Sequence, residues 1–276
     1  MHLRDEVSAI MRGVAAQVVT PRFRMLAADE ITEKSPGEIV TSADREAELR
    51  LHDALDGLGL GARIVGEEAV AQDRSLLDGI GSGLVWLIDP LDGTANFAAG
   101  KEPFGMMVAL IEDGVPQAGW ILAPRSGRLC HAQRGRGASC DGQSVRPAQT
   151  GRARPQAALG TQFLPAPHRT RVHAHAERFL GIVPIPRCAA ESYPRLALGQ
   201  DDVALFQRTL PWDHAAGILF LEEVGGHVTH WNGKPYRIGG GNTGILAAAS
   251  ESLWQIAAGV LLSPETGLRE VEDTIS

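Results

Sequence analysis

The stretch Leu84-Val85-Trp86-Leu87-Ile88-Asp89-Pro90-Leu91-Asp92-Gly93-Thr94-Ala95-Asn96-Phe97 decides how the rest of the chain is read. Its first five residues are apolar without interruption, and the run stops at an acidic residue followed by proline, which is how a buried strand ends. A carboxylate at that point sits on the edge of the interior, where it needs a positive partner. Pro90 fixes the turn and Asp92 returns to the same side, so both carboxylates and the Leu91 carbonyl can converge on one cation. All these donors are oxygen, which favours Mg²⁺ or Mn²⁺ over zinc. If a helix begins at Gly93-Thr94, its free N–H groups and positive dipole end form a seat for a phosphate oxygen. A metal-binding turn beside an anion-binding helix end is an arrangement for phosphoryl transfer.

Taken alone, Asp-Pro-x-Asp-Gly is more commonly an ordinary turn. Two further segments change the balance. Gly66-Glu67-Glu68 follows a second apolar run, Arg63-Ile64-Val65, so two strands deliver carboxylates at their carboxyl ends. Much later, Pro211-Trp212-Asp213-His214-Ala215-Ala216-Gly217 opens a helix.

Outward from these segments, Ala47, Leu51, Ala54, Leu55 and Leu58 recur at helical spacing, and Thr41 with Asp44 makes a capping box for a helix over about 42–58. A shorter helix is expected from Glu6 to Val18. Residues 105–122 read as a hairpin turning at Glu112-Asp113-Gly114, with further strands up to about 145. A loop from Pro147 to Pro155 separates an N-terminal α+β lobe, 1–150, from a C-terminal α/β lobe, 151–276. In the second lobe strands at Ala157–Phe163, Ile182–Ile185 and Val203–Phe206 alternate with helices near 168–180, 190–198 and 213–223, the last stopped by Gly225-Gly226, before a final helix after Ser250.

With 276 residues, 44% apolar and 21% charged, the chain has an ordinary globular composition. Lys plus Arg number 26 against 33 Asp plus Glu, a net charge of −7, the wrong sign for a nucleic-acid or anionic-membrane partner. Cys130, Cys140 and Cys188 are widely spaced with no C-x-x-C pair, which fits reduced thiols better than a disulfide framework. Charged residues at Arg4, Asp5, Glu6 and Arg12 break any apolar core of a leader, so a cytoplasmic location is expected.

The three segments together resemble the inositol monophosphatase family of metal-dependent, lithium-sensitive phosphomonoesterases. The family's signature Asp-Pro-x-Asp-Gly-Thr-x-Asn-Phe stands at Asp89 to Phe97, and its second, Trp-Asp-x-Ala-Ala-Gly, at Trp212 to Gly217. Lys34 to Asp44, Glu67-Glu68, the hairpin region and Gly225-Gly226 also fall in the family's order, so the resemblance covers nearly the whole chain. It implies an α/β (α+β) fold, a layered αβαβα sandwich, usually a homodimer, and hydrolysis of a small phosphate monoester by direct attack of a metal-activated water. It further implies that Glu67, Asp89 and the Leu91 carbonyl hold a first Mg²⁺, that Asp89, Asp92 and Asp213 hold a second, and that a third leans on Glu67 with Asp44 in its outer shell. Glu68 and Thr94 would be the carboxylate–hydroxyl pair that deprotonates the attacking water. Asp92, Gly93, Thr94 and Asp213 would surround the phosphate and substrate.

One departure bears on the substrate. Members acting on inositol phosphates commonly carry a Glu seven residues before the second-signature Asp, and Phe206 stands there. A Phe accepts no hydroxyl hydrogen bond. Near the substrate approach, Cys188 and Ala189 precede a helix carrying Glu191, Ser192, Tyr193 and Arg195. Inositol 1-phosphate, histidinol phosphate, a sugar bisphosphate and 3′-phosphoadenosine nucleotides all remain open.

Other features take a structural reading. His168, His173 and His175 read as a solvated helix face, Gly239-Gly240-Gly241 as a loop, and Arg134 and Arg136 as exposed at a hairpin turn. His214 is as readily structural as phosphate-binding. A dehalogenase-type phosphatase needs one residue between its aspartates, and this chain has two. A non-catalytic metal-binding relative would not require Glu68 and Thr94.

Overall fold

The structure, a computed structural model, describes residues 2–35, 38–241 and 244–269. A polar hairpin, β1 (Ile31–Ser35) and β2 (Glu38–Thr41), precedes a large sheet of β3 (Arg63–Gly66), β4 (Leu84–Asp92), β5 (Gly105–Glu112), β6 (Val115–Leu122), β7 (Leu129–Gln133), β8 (Gly137–Cys140) and β9 (Gln143–Ser144) in that order. β3 runs parallel to β4, and the other pairs are antiparallel. The smaller sheet has the order β11-β10-β12-β14-β13, from β10 (Gln156–Gly160), β11 (Gly181–Val183), β12 (Val203–Phe206), β13 (His227–His230) and β14 (Ile245–Ala248).

The helices are α1 (Leu3–Val14), α2 (Thr20–Arg22), α3 (Ser42–Asp56), α4 (Glu67–Gln72), α5 (Thr94–Ala98), α6 (Ala166–Ala176), α7 (Ala189–Ala197), α8 (Pro211–Glu223) and α9 (Glu251–Leu261). They fall into the layers that two-faced strands demand. Trp86 and Ile88 of β4 pack with Met11 of α1 and Leu51 of α3, while Val85 and Leu87 join Tyr193 of α7 and Phe220 of α8. The inner face of the small sheet, at Ala204 and Ala247, shares that second cluster. Its outer face, at Leu205 and Leu246, meets Val172 of α6 and Leu253 of α9. The layers are therefore α1/α3, sheet, α7/α8, sheet, α6/α9, the αβαβα order expected.

Position in this stack explains the composition of α8. It lies between two sheets, so it is buried nearly all round from His214 to Leu221 and shows no polar stripe. Gly217 lets α7 approach, because a Cβ there would overlap the Tyr193 ring. The Ala-Ala-Gly of the second signature is thus a packing requirement.

Boundaries differ from expectation at a few places. The Thr41–Asp44 capping box opens α3, but the helix stops at Asp56. The first helix starts at Leu3 and passes through a π-helical stretch, Ala15–Val19, just before Pro21, which has no amide hydrogen for the regular ladder. The helix expected near 168–180 ends at Ala176, and β10 ends at Gly160.

Candidate active site

The acidic residues meet where β3 and β4 end and α8 begins. β3 runs straight into α4, so Glu67 and Glu68 are the first residues of a helix. Asp89 stands where the β4–β5 pairing shifts register, between Asp89 and Asp92, and Asp213 lies in the first turn of α8. Carboxylate oxygens of Glu67, Asp89 and Asp213 lie within 4.8 Å of one another.

Burial pushes Glu67 up to about 7, and it pushes Asp89 and Asp213 well above the usual carboxylate range, with mutual repulsion adding to it. Lys34, from the hairpin, supplies one positive charge: its Nζ donates to Glu67 Oε1 at 2.5 Å and Glu68 Oε1 at 2.8 Å. Burial opposes that ammonium, but the two carboxylates outweigh it and hold the Lys34 pKa above its ordinary value. One ammonium cannot match Glu67, Glu68, Asp89 and Asp213 if all four are ionised, and the raised pKa values of Glu67, Asp89 and Asp213 mean that the metal-free site holds protons which a cation would displace. Buried, convergent, all-oxygen donors fit hard divalent cations.

The neighbouring turn is arranged differently from the expected roles. Thr94 Oγ1 is 2.9 Å from Asp44 Oδ1 and 2.8 Å from the Leu91 carbonyl, so its carboxylate partner is Asp44, whereas Glu68 was expected. Glu68 is instead engaged by Lys34. Asp44 is itself fixed by the Thr41 N–H and hydroxyl at 2.8 and 2.5 Å, and burial lifts it to about 6 against those bonds. Asp92 Oδ2 accepts the Ala190 N–H at the start of α7 at 2.6 Å, and Asp89 Oδ1 accepts the Leu91 N–H at 3.0 Å. Gly93 opens α5 with φ 81°, a conformation that favours glycine, as expected from a helix start at Gly93-Thr94.

Residues 4–265 match the inositol monophosphatase family. The chain belongs to that family. It is 31% identical over 209 residues to the inositol-1-monophosphatase of Bacillus subtilis, covering 74% of this chain and 77% of that protein. It is 32% identical over 203 residues to the histidinol-phosphatase of Mycobacterium tuberculosis, covering 70% and 75%. The crystal structure of inositol monophosphatase-II from Staphylococcus aureus superposes with a TM-score of 0.83 at 23% identity, over 100% of this chain and 99% of that one.

Within this family member, two residues with no role assigned from sequence shape the site. Lys34 is one. The other is Glu48, one turn beyond Asp44 on α3, whose carboxylate accepts the N–H groups of Glu68 at 2.8 Å and Ala69 at 2.7 Å. It caps α4 from outside, and the i, i+4 spacing from Asp44 was the available signal. His214 proves to have both ring nitrogens occupied, by the Tyr193 hydroxyl at 2.8 Å and the Arg208 carbonyl at 2.9 Å. Since a carbonyl only accepts, Nε2 carries the hydrogen and Nδ1 accepts from Tyr193. Burial holds this imidazole down to about 4, so it is a neutral brace. Phe206 lies in the same cavity as the acidic cluster and stacks on Tyr193 at 5.4 Å. His168, His173 and His175 lie on α6 in the outer layer, where His173 bonds Thr161 at 2.8 Å. Arg134 is less free than expected: it donates to the Pro116 carbonyl at 2.6 Å.

Proposed function

We propose that this phosphatase hydrolyses a small phosphate monoester, inositol-phosphate-like or a sugar phosphate, in a Mg²⁺-dependent reaction in which water attacks phosphorus directly. The observation carrying this reading is the convergence of Glu67, Asp89 and Asp213 beside the Thr94–Asp44 pair. Those three carboxylates, with Asp92 and the Leu91 carbonyl on the same turn, would hold two or three Mg²⁺ ions, Mn²⁺ being a possible substitute. Bound there, the cations supply positive charge to phosphate oxygens, ease deprotonation of water and neutralise the leaving oxygen.

The protein's own part is orientation and proton handling. Thr94 has one hydroxyl hydrogen and two acceptors in reach, Asp44 and the Leu91 carbonyl. Donating to Asp44, it keeps its oxygen lone pairs free to accept from a water, and a proton can pass through Thr94 to Asp44. Lys34 fixes one oxygen of Glu68, leaving the other to orient the same water. Left-handed Gly93 lets the start of α5 pack closely, since a Cβ there would meet the Pro103 carbonyl oxygen at 3.1 Å and the Cys188 Cβ at 3.3 Å.

Phe206 offers an aromatic face to the departing alcohol, so histidinol phosphate and 3′-phosphoadenosine nucleotides stand as alternatives, the first supported by the M. tuberculosis relative. Lithium sensitivity, a homodimer and a cytoplasmic location belong to the same proposal and rest on the family likeness. No helix among the described residues is long and apolar enough to cross a membrane.

The test is phosphate release from inositol 1-phosphate, histidinol phosphate, fructose 1,6-bisphosphate and 3′-phosphoadenosine compounds with Mg²⁺, repeated with Li⁺. The wild type should turn over at least one ester, Asp89→Asn should abolish that turnover, and Thr94→Ala should lower it about 10²- to 10³-fold. Mg²⁺ binding by calorimetry without turnover of any ester would overturn the reading in favour of a non-catalytic relative.

A further inference from the structure

Two cavities adjoin at the catalytic turn. One, of about 410 Å³, contains the acidic cluster and Phe206; the other, of about 550 Å³, is lined by Arg125, Arg128, Arg187 and Arg195 together with Glu102 and Glu191. Ile185 and Arg187 line both, so Arg187 stands at their junction.

The other three guanidinium groups are committed. Arg125 lies 3.6 Å from Glu102, Arg128 donates to Glu191 at 2.5 Å, and Arg195 grips Asp201 at 2.6 and 2.9 Å. Arg187 is exposed and has no hydrogen-bond or ion-pair partner among the described residues. Its φ of 54° is the left-handed region, unfavourable for an arginine. The backbone on either side is fastened to the catalytic turn: Asn96 Nδ2 donates to the Pro186 carbonyl at 3.1 Å, and the Ala190 N–H donates to Asp92 at 2.6 Å. An unpaired cation is thus held in a costly conformation by the same residues that shape the phosphate seat.

We propose that Arg187 binds a second anionic group of the substrate, so that the natural ester is bis-anionic, a sugar bisphosphate or a phosphorylated hydroxy acid. The inference rests on the phosphatase reading above. One phosphate occupies the acidic cluster with its cations, and the leaving portion extends past Ile185 toward the arginine-lined cavity. The Arg187 fork matches either a phosphate or a carboxylate bidentately. With Arg125, Arg128 and Arg195 matched by Glu102, Glu191 and Asp201, the uncompensated charge of that cavity is the one on Arg187, and Phe206 adds no opposing charge.

The test compares matched esters. Fructose 1,6-bisphosphate is set against fructose 1-phosphate, and 3-phosphoglycerate against glycerol 3-phosphate, so that the two pairs separate a second phosphate from a carboxylate. Arg187→Gly removes the guanidinium and eases the left-handed backbone, which guards against misfolding; Arg187→Lys keeps the charge without the fork. The wild type should favour the bis-anionic member of at least one pair. Arg187→Gly should raise KM for that member about 10- to 100-fold with kcat little changed, and leave the mono-anionic member within about 2-fold, while Arg187→Lys recovers part of the loss. Equal losses on both members would place Arg187 on the reacting phosphate and overturn the proposal, as would no loss on either. If the wild type turns over no ester, the phosphatase reading fails separately. The same pairs are then titrated by calorimetry with Mg²⁺, where tighter binding of the bis-anionic member, abolished in Arg187→Gly, supports the second-anion site and its absence refutes it.

Discussion

Replacing Glu48 by Gln should separate a buried positioning carboxylate from an ordinary surface one. Burial lifts Glu48 to about 6, while the N–H groups of Glu68 and Ala69, at 2.8 and 2.7 Å, pull the other way and stabilise its ionised form. Glu48→Gln keeps the shape but turns an amide NH₂ toward one of those two donors. A hydrogen bond to a charged group is worth about 1.5–3 kcal/mol. Losing the negative charge at the α4 N-terminus adds about 0.3–1 kcal/mol, while relief of the burial that lifts Glu48 to about 6 returns about 2 kcal/mol, so the expected net cost is about 0–2 kcal/mol. Glu46, on the exposed side of the same helix and paired with Arg22 and Arg50, is the control. As a surface ion pair it should cost at most about 1 kcal/mol on conversion to Gln. Urea unfolding of both metal-free variants reads the difference. Because Glu67 and Glu68 begin the helix that Glu48 caps, Glu48→Gln should also raise the Mg²⁺ concentration for half-maximal turnover about 10-fold, an effect of ~1.4 kcal/mol on the site. A half-maximal Mg²⁺ concentration within about 2-fold of wild type in Glu48→Gln, or one shifted equally in Glu46→Gln, would refute the reasoning.

Three further outcomes are expected. Thr94→Val, which keeps shape but loses the hydroxyl shared between Asp44 and Leu91, should lower kcat about 10²- to 10³-fold with little change in unfolding midpoint, while Thr94→Ser keeps most activity; a Val variant near wild-type kcat would remove Thr94 from the proton path. His131 is packed on Trp120 at 5.1 Å and held down to about 4 by burial, then by Arg4. Its folded pKa lies below the unfolded ~6.5, so its contribution is whole above that pH and is lost as pH falls toward 4, by up to ~3 kcal/mol; His131→Phe should flatten the urea midpoint over that window. Cys130 and Cys140 face each other across β7 and β8 with sulfurs 2.9 Å apart. The Asp141 N–H bond to the Leu129 carbonyl at 2.8 Å makes theirs the closer, non-hydrogen-bonded kind of pair. Oxidised glutathione should therefore close a disulfide by exchange through a mixed disulfide, seen in mass spectra as loss of two thiol hydrogens and absent from Cys140→Ser; a wild type that stays reduced would count against it.

Much of the framework was legible because apolar pattern dictated it. The runs before Gly66 and Asp89 had to be buried strands, and being parallel neighbours they bring their acidic ends together. Residues 203–206 and the 105–122 hairpin were legible for the same reason. The hairpin β1–β2 was not, since Ile31-Thr32-Glu33-Lys34-Ser35 has no apolar alternation and is ordered by its partner strand. That omission hid Lys34, whose partners lie 33 and 34 residues away. The Thr94 pairing failed differently: Glu68 and Asp44 both stand near the turn, and only three-dimensional distance shows which of them the hydroxyl meets. Arg187 carried no pattern at all, because its significance lies in having no partner.

The charges at the site explain why the scaffold around it is so tightly bonded. Asp44, Asp89 and Asp92 each accept a backbone N–H, from Thr41, Leu91 and Ala190, and these donors belong to three separate segments. Each bond stabilises an ionised carboxylate that burial opposes, yet together they concentrate like charges that repel across the boundary between the large sheet and α8. In the metal-free protein the raised pKa values of Asp89 and Asp213 relieve part of that repulsion by proton uptake, and apolar packing of α8 against both sheets holds the rest. A divalent cation between Glu67, Asp89 and Asp213 would turn the repulsion into attraction across the same boundary, so metal binding and stability should be linked. Since ligand at 100 times its Kd adds about 2.7 kcal/mol, the metal-free protein should melt measurably lower, and the shift should vanish in Asp213→Asn if that carboxylate is a ligand. A shift that persists in Asp213→Asn would place the cation elsewhere and leave the repulsion at α8 unrelieved.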